Sequence, residues 1–143
     1  MNTKEHIAKA ETAINASPEE VWEGLTSPAA IKQYMMGAEV ETDWKEGSAI
    51  TWKGEFKGTS YEDKGTVLRA NRPEHLAYSH FSPSSGKEDI PEHYHTVDIR
   101  LARTDKGTQV TLTQDNNPSE EAKGESEKNW KMMMDGLRKA VEA

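Results

Sequence analysis

From Asn117 to Glu142 the chain reads NPSEEAKGESEKNWKMMMDGLRKAVE, a pattern typical of one long amphipathic helix. Asn117 is a favourable N-cap, Pro118 suits the first helical position, and Glu120 stands where a capping box needs an acid. The apolar residues recur at the spacing of a single helical face; they are Ala122, Trp130, Met133, Met134, Leu137 and Val141. We therefore predict a helix of roughly six or seven turns, whose apolar side must be covered by the rest of the chain.

The residues before this helix predict two short helices and a series of strands. A first strand at residues 7–16 is followed by the capping box Ser17-Pro18-Glu19-Glu20 and by a second start signal at Ser27-Pro28. Period-two alternation then indicates half-buried strands at residues 38–44, 50–56, 63–70, 76–80, 97–102 and 110–114. Short turns between consecutive strands imply an antiparallel sheet, so the fold class is α+β.

One tight hairpin fixes part of the register of this sheet. A turn at Asp105-Lys106-Gly107 pairs Leu101 with Val110 and Val97 with Gln114 when residues are counted outward. Continued alternation places His93 and His95 on the same inner face as Val97. The loop at residues 82–91 then brings His80 close to His93 or His95.

The composition limits the possible functions. The 143 residues indicate a single domain spanning residues 1–143. A net charge of −7 argues against nucleic acid as a partner and against an anionic membrane surface. There is no cysteine, and no apolar run or signal-peptide core is present, so we expect a cytoplasmic protein without membrane insertion, most simply a monomer.

Several segments carry a resemblance to a known family. They are Ala16–Trp22, Tyr61–Gly65, His93–Val97, Thr111–Asn117, Ser126–Trp130 and Asp135–Leu137. Together they resemble the SRPBCC superfamily (the START or birch-pollen-allergen fold), and within it the group similar to the C-terminal domain of the activator of heat-shock protein 90 ATPase. The resemblance implies a helix-grip fold, in which a curved antiparallel sheet of six or seven strands wraps around the C-terminal helix. It also implies a hydrophobic small molecule, or an empty pocket, between sheet and helix.

The predicted inner face supplies a candidate ligand site. Its polar end would contain His80, His95 and Gln114, near the start of the long helix. The apolar body would be formed by Trp52, Tyr78, Ile99, Leu112, Trp130, Met133 and Leu137. The alternative is that the histidines are partly solvated residues at strand ends, with no ligand.

The methionines and the cost of a cavity bear on the size of any pocket. A dry pocket of about 300 Å³, at roughly 24 cal/mol per Å³, would cost on the order of 7 kcal/mol, which rivals a domain's total stability of roughly 5–15 kcal/mol. We therefore expect a small or collapsible cavity. Met35, Met36 and Met132–Met134 are either core filler or an adaptable pocket wall.

The sequence gives little support for catalysis or for metal binding. It contains no nucleophile elbow, P-loop, dinucleotide fingerprint or zincin motif. Glu55, Glu62 and Asp63 are predicted to face outward or to lie in turns. His93 and His95 could share a metal, but only Asp89 and Glu92 are nearby acids, and we expect no cofactor.

Three functions remain, in order of preference. The first is non-catalytic binding of a hydrophobic or amphipathic small molecule, lipid-like or polyketide- or flavonoid-like. The second, implied by the resemblance, is regulation of a heat-shock-type ATPase as a co-chaperone. The third is an enzyme acting on an aromatic or polyketide substrate.

Overall fold

A computed structural model describes residues 6–35, 37–56, 58–83 and 86–142. The expected contribution of Met36 to a pocket wall therefore lies outside the described residues. The elements are β1 (Ala8–Ile14), α1 (Pro18–Thr26), α2 (Pro28–Tyr34), β2 (Glu39–Glu41), β3 (Ala49–Phe56), β4 (Thr59–Asn71), β5 (His75–His80), β6 (His95–Thr104), β7 (Gly107–Gln114) and α3 (Glu120–Glu142).

The seven strands form one curved antiparallel sheet in the order β1-β7-β6-β5-β4-β3-β2. This arrangement with a long C-terminal helix confirms the predicted helix-grip α+β fold. The predicted register is also confirmed, because Leu101 pairs with Val110, Val97 with Gln114 and His80 with His95.

The two short helices begin as the sequence predicts. Ser17 caps α1 and forms a complete capping box with Glu20, while the Ser27 side chain caps α2. These caps satisfy backbone N–H groups that a helix start leaves without partners. The two helices close one end of the sheet against α3.

Helix α3 lies along the edge strand β1 and covers the sheet with its apolar side. Met133, Met134 and Leu137 are buried on that side. Two of its acids also bind backbone N–H groups at the edge: Lys9 N donates to Glu127 Oε2 at 3.0 Å, and Asn15 N donates to Glu142 Oε2 at 2.7 Å. The helix thus both closes the core and occupies donors that an open sheet edge would expose.

The predicted start of α3 is wrong by two residues. Ser119 caps the helix, since its hydroxyl accepts from Ala122 N at 3.1 Å. Asn117 is instead buried, and its side-chain amide donates to the carbonyls of His6 and Gln114 at 3.0 and 3.1 Å. Its Oδ1 accepts from Ser126 Oγ at 2.8 Å. Tertiary bonds have taken the side chain that would otherwise cap the helix.

Three strand predictions also need correction. Strand β2 has only three residues, and Trp44 has a φ of 58°, which extended backbone does not allow. Strand β4 begins at Thr59 rather than near Asp63 and is thirteen residues long. His93 lies in a 3₁₀ turn at Pro91–His93 that precedes β6, so it does not share the strand's inner face.

Candidate functional site

Aromatic side chains form a continuous row across the inner face of the sheet. The ring centres of Trp52 and Tyr78 are 5.1 Å apart, and those of Trp52 and His80 are also 5.1 Å apart, with the rings edge to face. His80 continues the row to His95, at 6.3 Å between ring centres. The row connects the apolar interior beneath α3 with a polar end on β5 and β6.

Asp63 belongs to this polar end, which the sequence analysis missed. It pairs with Trp52 across β3 and β4, and its Oδ2 lies 2.9 Å from His80 Nε2. The side chain of Asp63 is only 17% exposed, so the prediction that it faces outward is wrong. Its position four residues before the buried Val67 was the available signal, because alternation puts both residues on one face. Glu55 and Glu62 are exposed, as predicted.

His95 is held by the backbone of the segment after β7. Its Nδ1 lies 2.9 Å from the carbonyl oxygen of Asp115, so Nδ1 carries the hydrogen and donates. Burial lowers the pKa of His95 below the ordinary value of 6.5, and the neighbouring His80 and Lys87 act in the same direction, while Asp115 opposes them. The ring is therefore neutral near pH 7, with a lone pair on Nε2.

Gln114 connects the polar end to α3. It is 8% exposed, and its Oε1 accepts from Trp130 Nε1 at 2.6 Å. Gln114 and Trp130 are thus fixed by each other. The indole ring of Trp130 is held in one orientation at the edge of a groove.

This groove lies between α2 and α3 and has a volume of about 260 Å³. Its walls are Tyr34, Met35, Asn129, Trp130, Met132 and Met133. Met132 is 58% exposed, while Met133 is buried. The groove is therefore an apolar depression that opens to the surface at Met132 and reaches the core at Met133.

A second, smaller cavity lies between the sheet and α3 and has a volume of about 20 Å³. Trp52, Tyr78, Ile99 and Met133, all predicted site residues, line it, together with Leu25, Ile31, Tyr34, Met35, Trp44 and Leu76. This volume is about that needed for one water molecule, in keeping with the expected small cavity. Tyr34, Met35 and Met133 belong to both linings and separate the cavity from the groove.

Two phenols line the smaller cavity, and one of them, Tyr34, also belongs to the partition. Burial raises the pKa of Tyr34 and of Tyr78, so both remain protonated. The Tyr34 hydroxyl donates to the carbonyl of Gly24 at 2.9 Å. The Tyr78 hydroxyl has no hydrogen-bond partner among the described residues, so it is available to a bound molecule.

The remaining predicted site residues lie deeper. Leu112 and Leu137 are 0% exposed and belong to the packed core. They support the cavity walls without lining either space among the described residues. Within the described part of the chain, no group of three or more His, Asp or Glu side chains is arranged to hold a metal ion.

Sequence and structure comparisons identify the family. Residues 15–142 match the family described as Activator of Hsp90 ATPase homolog 1-like protein. The chain belongs to this family.

Solved structures of other members of the fold are similar over nearly the whole chain. ChR145 from Cytophaga hutchinsonii is 54% identical, with 99% of this chain and 97% of that one covered and a TM-score of 0.86. CalU16 from Micromonospora echinospora is 25% identical, covering 94% of this chain and 74% of that one, with a TM-score of 0.69. MLL2253 from Mesorhizobium loti is 20% identical, covering 95% and 96%, with a TM-score of 0.76. The comparison with curated proteins gave no significant match.

In this member of the Activator of Hsp90 ATPase homolog 1-like family, the side chains of residues 114–117 connect the elements that form the site. Gln114 holds Trp130, and Asp115 Oδ1 accepts from Thr96 N at 2.6 Å. Asn116, at a φ of 59°, donates to the carbonyls of Glu92 and Tyr94. With Asn117 bound to residues 6, 114 and 126, four consecutive side chains tie the start of β6, the N-terminal segment and α3 together.

No helix among the described residues is long and apolar enough to cross a membrane.

Proposed function

We propose that this protein binds a small hydrophobic or amphipathic molecule that enters between α2 and α3 and extends toward the sheet. The observation that carries the proposal is the shared wall of Tyr34, Met35 and Met133 between the open groove and the smaller cavity. Rotation of these side chains would join the two spaces.

We further propose that the protein acts as a monomer in the cytoplasm.

The composition of this wall suits it to move. Methionine is unbranched and repacks at low cost, so Met35 and Met133 can yield to a ligand. In the absence of ligand, the collapsed state avoids an empty cavity, whose cost grows by roughly 24 cal/mol per Å³. The groove of about 260 Å³ lies just below the usual range of roughly 300–1,000 Å³ for ligand pockets.

The ligand-binding residues of this proposal follow from position. Trp130 and Met133 would contact the molecule in the groove, and Trp52, Tyr78 and Ile99 would contact it within the opened cavity. Leu112 and Leu137 would support this surface. His80, His95 and Gln114 would form its polar end.

The four tryptophans provide an internal experiment. Trp130 lines the groove, and Trp44 and Trp52 line the cavity. Trp22 is buried but is not among the described residues that line either space. Titration with naphthalene, followed by the indole N–H signals in NMR spectra, should shift those of Trp130, Trp44 and Trp52 and leave that of Trp22 unchanged. Equal shifts of all four signals, or no shift up to saturation, would contradict the proposal.

Two tryptophan substitutions, one in the partition and one away from it, provide a test and its matched control. Met133→Trp should weaken naphthalene binding by at least tenfold, because the larger side chain occupies the partition. Leu68→Trp, at a residue 42% exposed on β4 and away from both linings, should leave the affinity unchanged.

The second candidate function is regulation of a heat-shock-type ATPase, and the family description supports it. The net charge of −7 would suit contact with a basic surface of such a chaperone. Addition of the protein to the purified chaperone should then change its ATPase rate. An unchanged rate, with no complex formed in a pull-down, would exclude this candidate.

A further inference from the structure

We propose that His80 and His95 form a binding site for one neutral hydroxyl group, that of a phenol or an alcohol. This inference rests on the proposed function and names the chemical class of its ligand. Asp63 and the Asp115 carbonyl are positioning groups that orient the two rings.

Each ring has one nitrogen engaged and one nitrogen available. His80 Nε2 is bound to Asp63 Oδ2 and His95 Nδ1 to the Asp115 carbonyl, both at 2.9 Å. The other nitrogens, His80 Nδ1 and His95 Nε2, have no hydrogen-bond partner among the described residues. Among the described residues, Asp63 Oδ1 is the side-chain polar atom that is both buried and without a hydrogen-bond partner. The two available histidine nitrogens also lack partners but are not buried in this way, so they are accessible to solvent.

The spacing of the rings fits an oxygen atom better than a metal ion. Their centres are 6.3 Å apart, with the planes inclined by 31°. With zinc–nitrogen bonds of about 2.0–2.1 Å, two imidazoles on one tetrahedral zinc have centres roughly 5 Å apart. An oxygen atom about 2.8 Å from each nitrogen, at a near-tetrahedral angle, sets the centres roughly 6.5 Å apart.

The hydrogens on the two histidine rings determine which chemical group of a ligand can bind between them. His95 is neutral near pH 7, so its Nε2 accepts and the ligand must donate to it. His80 Nδ1 accepts when that ring is neutral and donates when it is protonated. A hydroxyl group can donate to His95 and accept from a protonated His80. An ammonium group can only donate, so it can bind both rings only when His80 is neutral. An ionised carboxylate has no hydrogen to donate to His95 Nε2.

Asp63 adds a charge argument against acids. One of its oxygens is buried without a partner, and the chain carries a net charge of −7. A ligand carboxylate would place a second negative charge beside it in a region of reduced dielectric constant. Fatty acids and aromatic acids are therefore disfavoured relative to the corresponding alcohols and phenols.

Trp52 connects this pair to the proposed cavity. Its ring contacts His80 and also lines the smaller cavity beside Tyr78. An aromatic ligand lying on Trp52 and Tyr78 would thus direct a hydroxyl substituent toward the histidines.

Three probes with the same ring system test the inference: naphthalene, 2-naphthol and 2-naphthoate. We expect the wild-type protein to bind 2-naphthol about tenfold more tightly than naphthalene, the value of one well-made hydrogen bond, and 2-naphthoate least tightly. His95→Phe should abolish the preference for 2-naphthol over naphthalene. The control is His75→Phe, which removes a histidine that pairs with Asp98 at 2.7 Å, away from this inner-face row, and should keep the preference.

A second variant covers the case in which His95→Phe fails to fold. Asp63→Asn removes the negative charge with little change in shape, and it should raise the affinity for 2-naphthoate at least fivefold relative to naphthalene. Zn²⁺ alone should not shift the ring signals of His80 and His95.

The outcomes separate this inference from the proposed function. Equal affinities for naphthalene and 2-naphthol would overturn the hydroxyl site and leave the apolar binding function intact. A preference that survives His95→Phe, or tight Zn²⁺ binding at the two rings, would also overturn it. Failure of all three probes to bind would overturn both.

Discussion

The indole N–H of Trp130 on α3 donates to Oε1 of Gln114 on β7 at 2.6 Å. This bond joins the long helix to the sheet at the boundary between the apolar groove and the polar end. Gln114 pairs with Val97 on one side and with Ala8 on the other, so it lies well inside the sheet. The orientation of the groove's largest side chain therefore depends on a residue of the sheet that does not line the groove.

Gln114→Leu should lower the free energy of unfolding by about 1–3 kcal/mol, because the indole N–H of Trp130 loses its acceptor in a partly buried position. Urea denaturation measures the loss, and the Trp130 indole signal in NMR spectra should move toward that of a free indole. An unchanged signal would mean that Gln114 does not hold the ring. Trp130→Phe provides the control, since Gln114→Leu should cost much less in that background.

Asn117→Ala should destabilise the protein more than Ser119→Ala. Asn117 is buried and makes three side-chain hydrogen bonds, so its loss should cost about 2–4 kcal/mol. Ser119 is exposed and supplies one cap bond, with an expected cost of about 1 kcal/mol. Denaturant midpoints compare the two variants. Equal losses of stability in the two variants would mean that Asn117 contributes no more than a helix cap does.

Two glycines of α3 should respond in opposite directions to substitution by alanine. A Cβ at Gly136 would lie 2.7 Å from Cβ of Tyr34, so Gly136→Ala should cost about 1–3 kcal/mol and displace a groove wall. A Cβ at Gly124 would meet no atom within 4 Å, so Gly124→Ala should stabilise the protein by about 0.5–1 kcal/mol. Thermal denaturation measures both changes. A Gly136→Ala protein as stable as the wild type would show that α2 and α3 are not tightly packed there.

Stability should fall as the pH falls through the ordinary histidine range, in part because of His95. Its pKa is lowered in the folded state, so the unfolded chain binds a proton that the folded protein resists. The contribution of His95 is therefore favourable above its unfolded pKa of 6.5 and is lost below it. Of the groups that face the ring, His80 and Lys87 lower the pKa of His95 further, while Asp115 opposes them.

Urea midpoints at about pH 7.5 and about pH 5.5 measure this dependence. His95→Gln should show a smaller decrease between the two values than the wild type, while effects of other titrating groups cancel in the difference. A larger decrease in the variant would mean that the folded state favours protonated His95.

The sequence predicted the elements that depend on local pattern. Alternation and the two-residue turn at Asp105 and Lys106 determine which residues of β6 and β7 oppose each other. The loop at residues 82–91 predicted His80 near His93 or His95, and the structure pairs it with His95. The capping signals at Ser17 and Ser27 likewise depend on neighbouring residues alone.

Other features depend on contacts between distant segments and were not predictable in this way. Asn117 is diverted from capping by residues 6, 114 and 126. Asp63 is charged, which favours exposure, and its inward position depends on the contact with His80 on the neighbouring strand β5. The division of space into a groove and a small cavity depends on side-chain positions of Tyr34, Met35 and Met133, which no sequence period determines.

Intermolecular nuclear Overhauser effects from bound naphthalene test most directly whether a ligand opens the partition. We predict simultaneous contacts from one bound molecule to the Met133 methyl group, which belongs to both spaces, and to the Tyr78 ring, which lines only the smaller cavity. Contacts confined to Met132 and Asn129 at the surface of the groove, with none to Tyr78, would contradict the account.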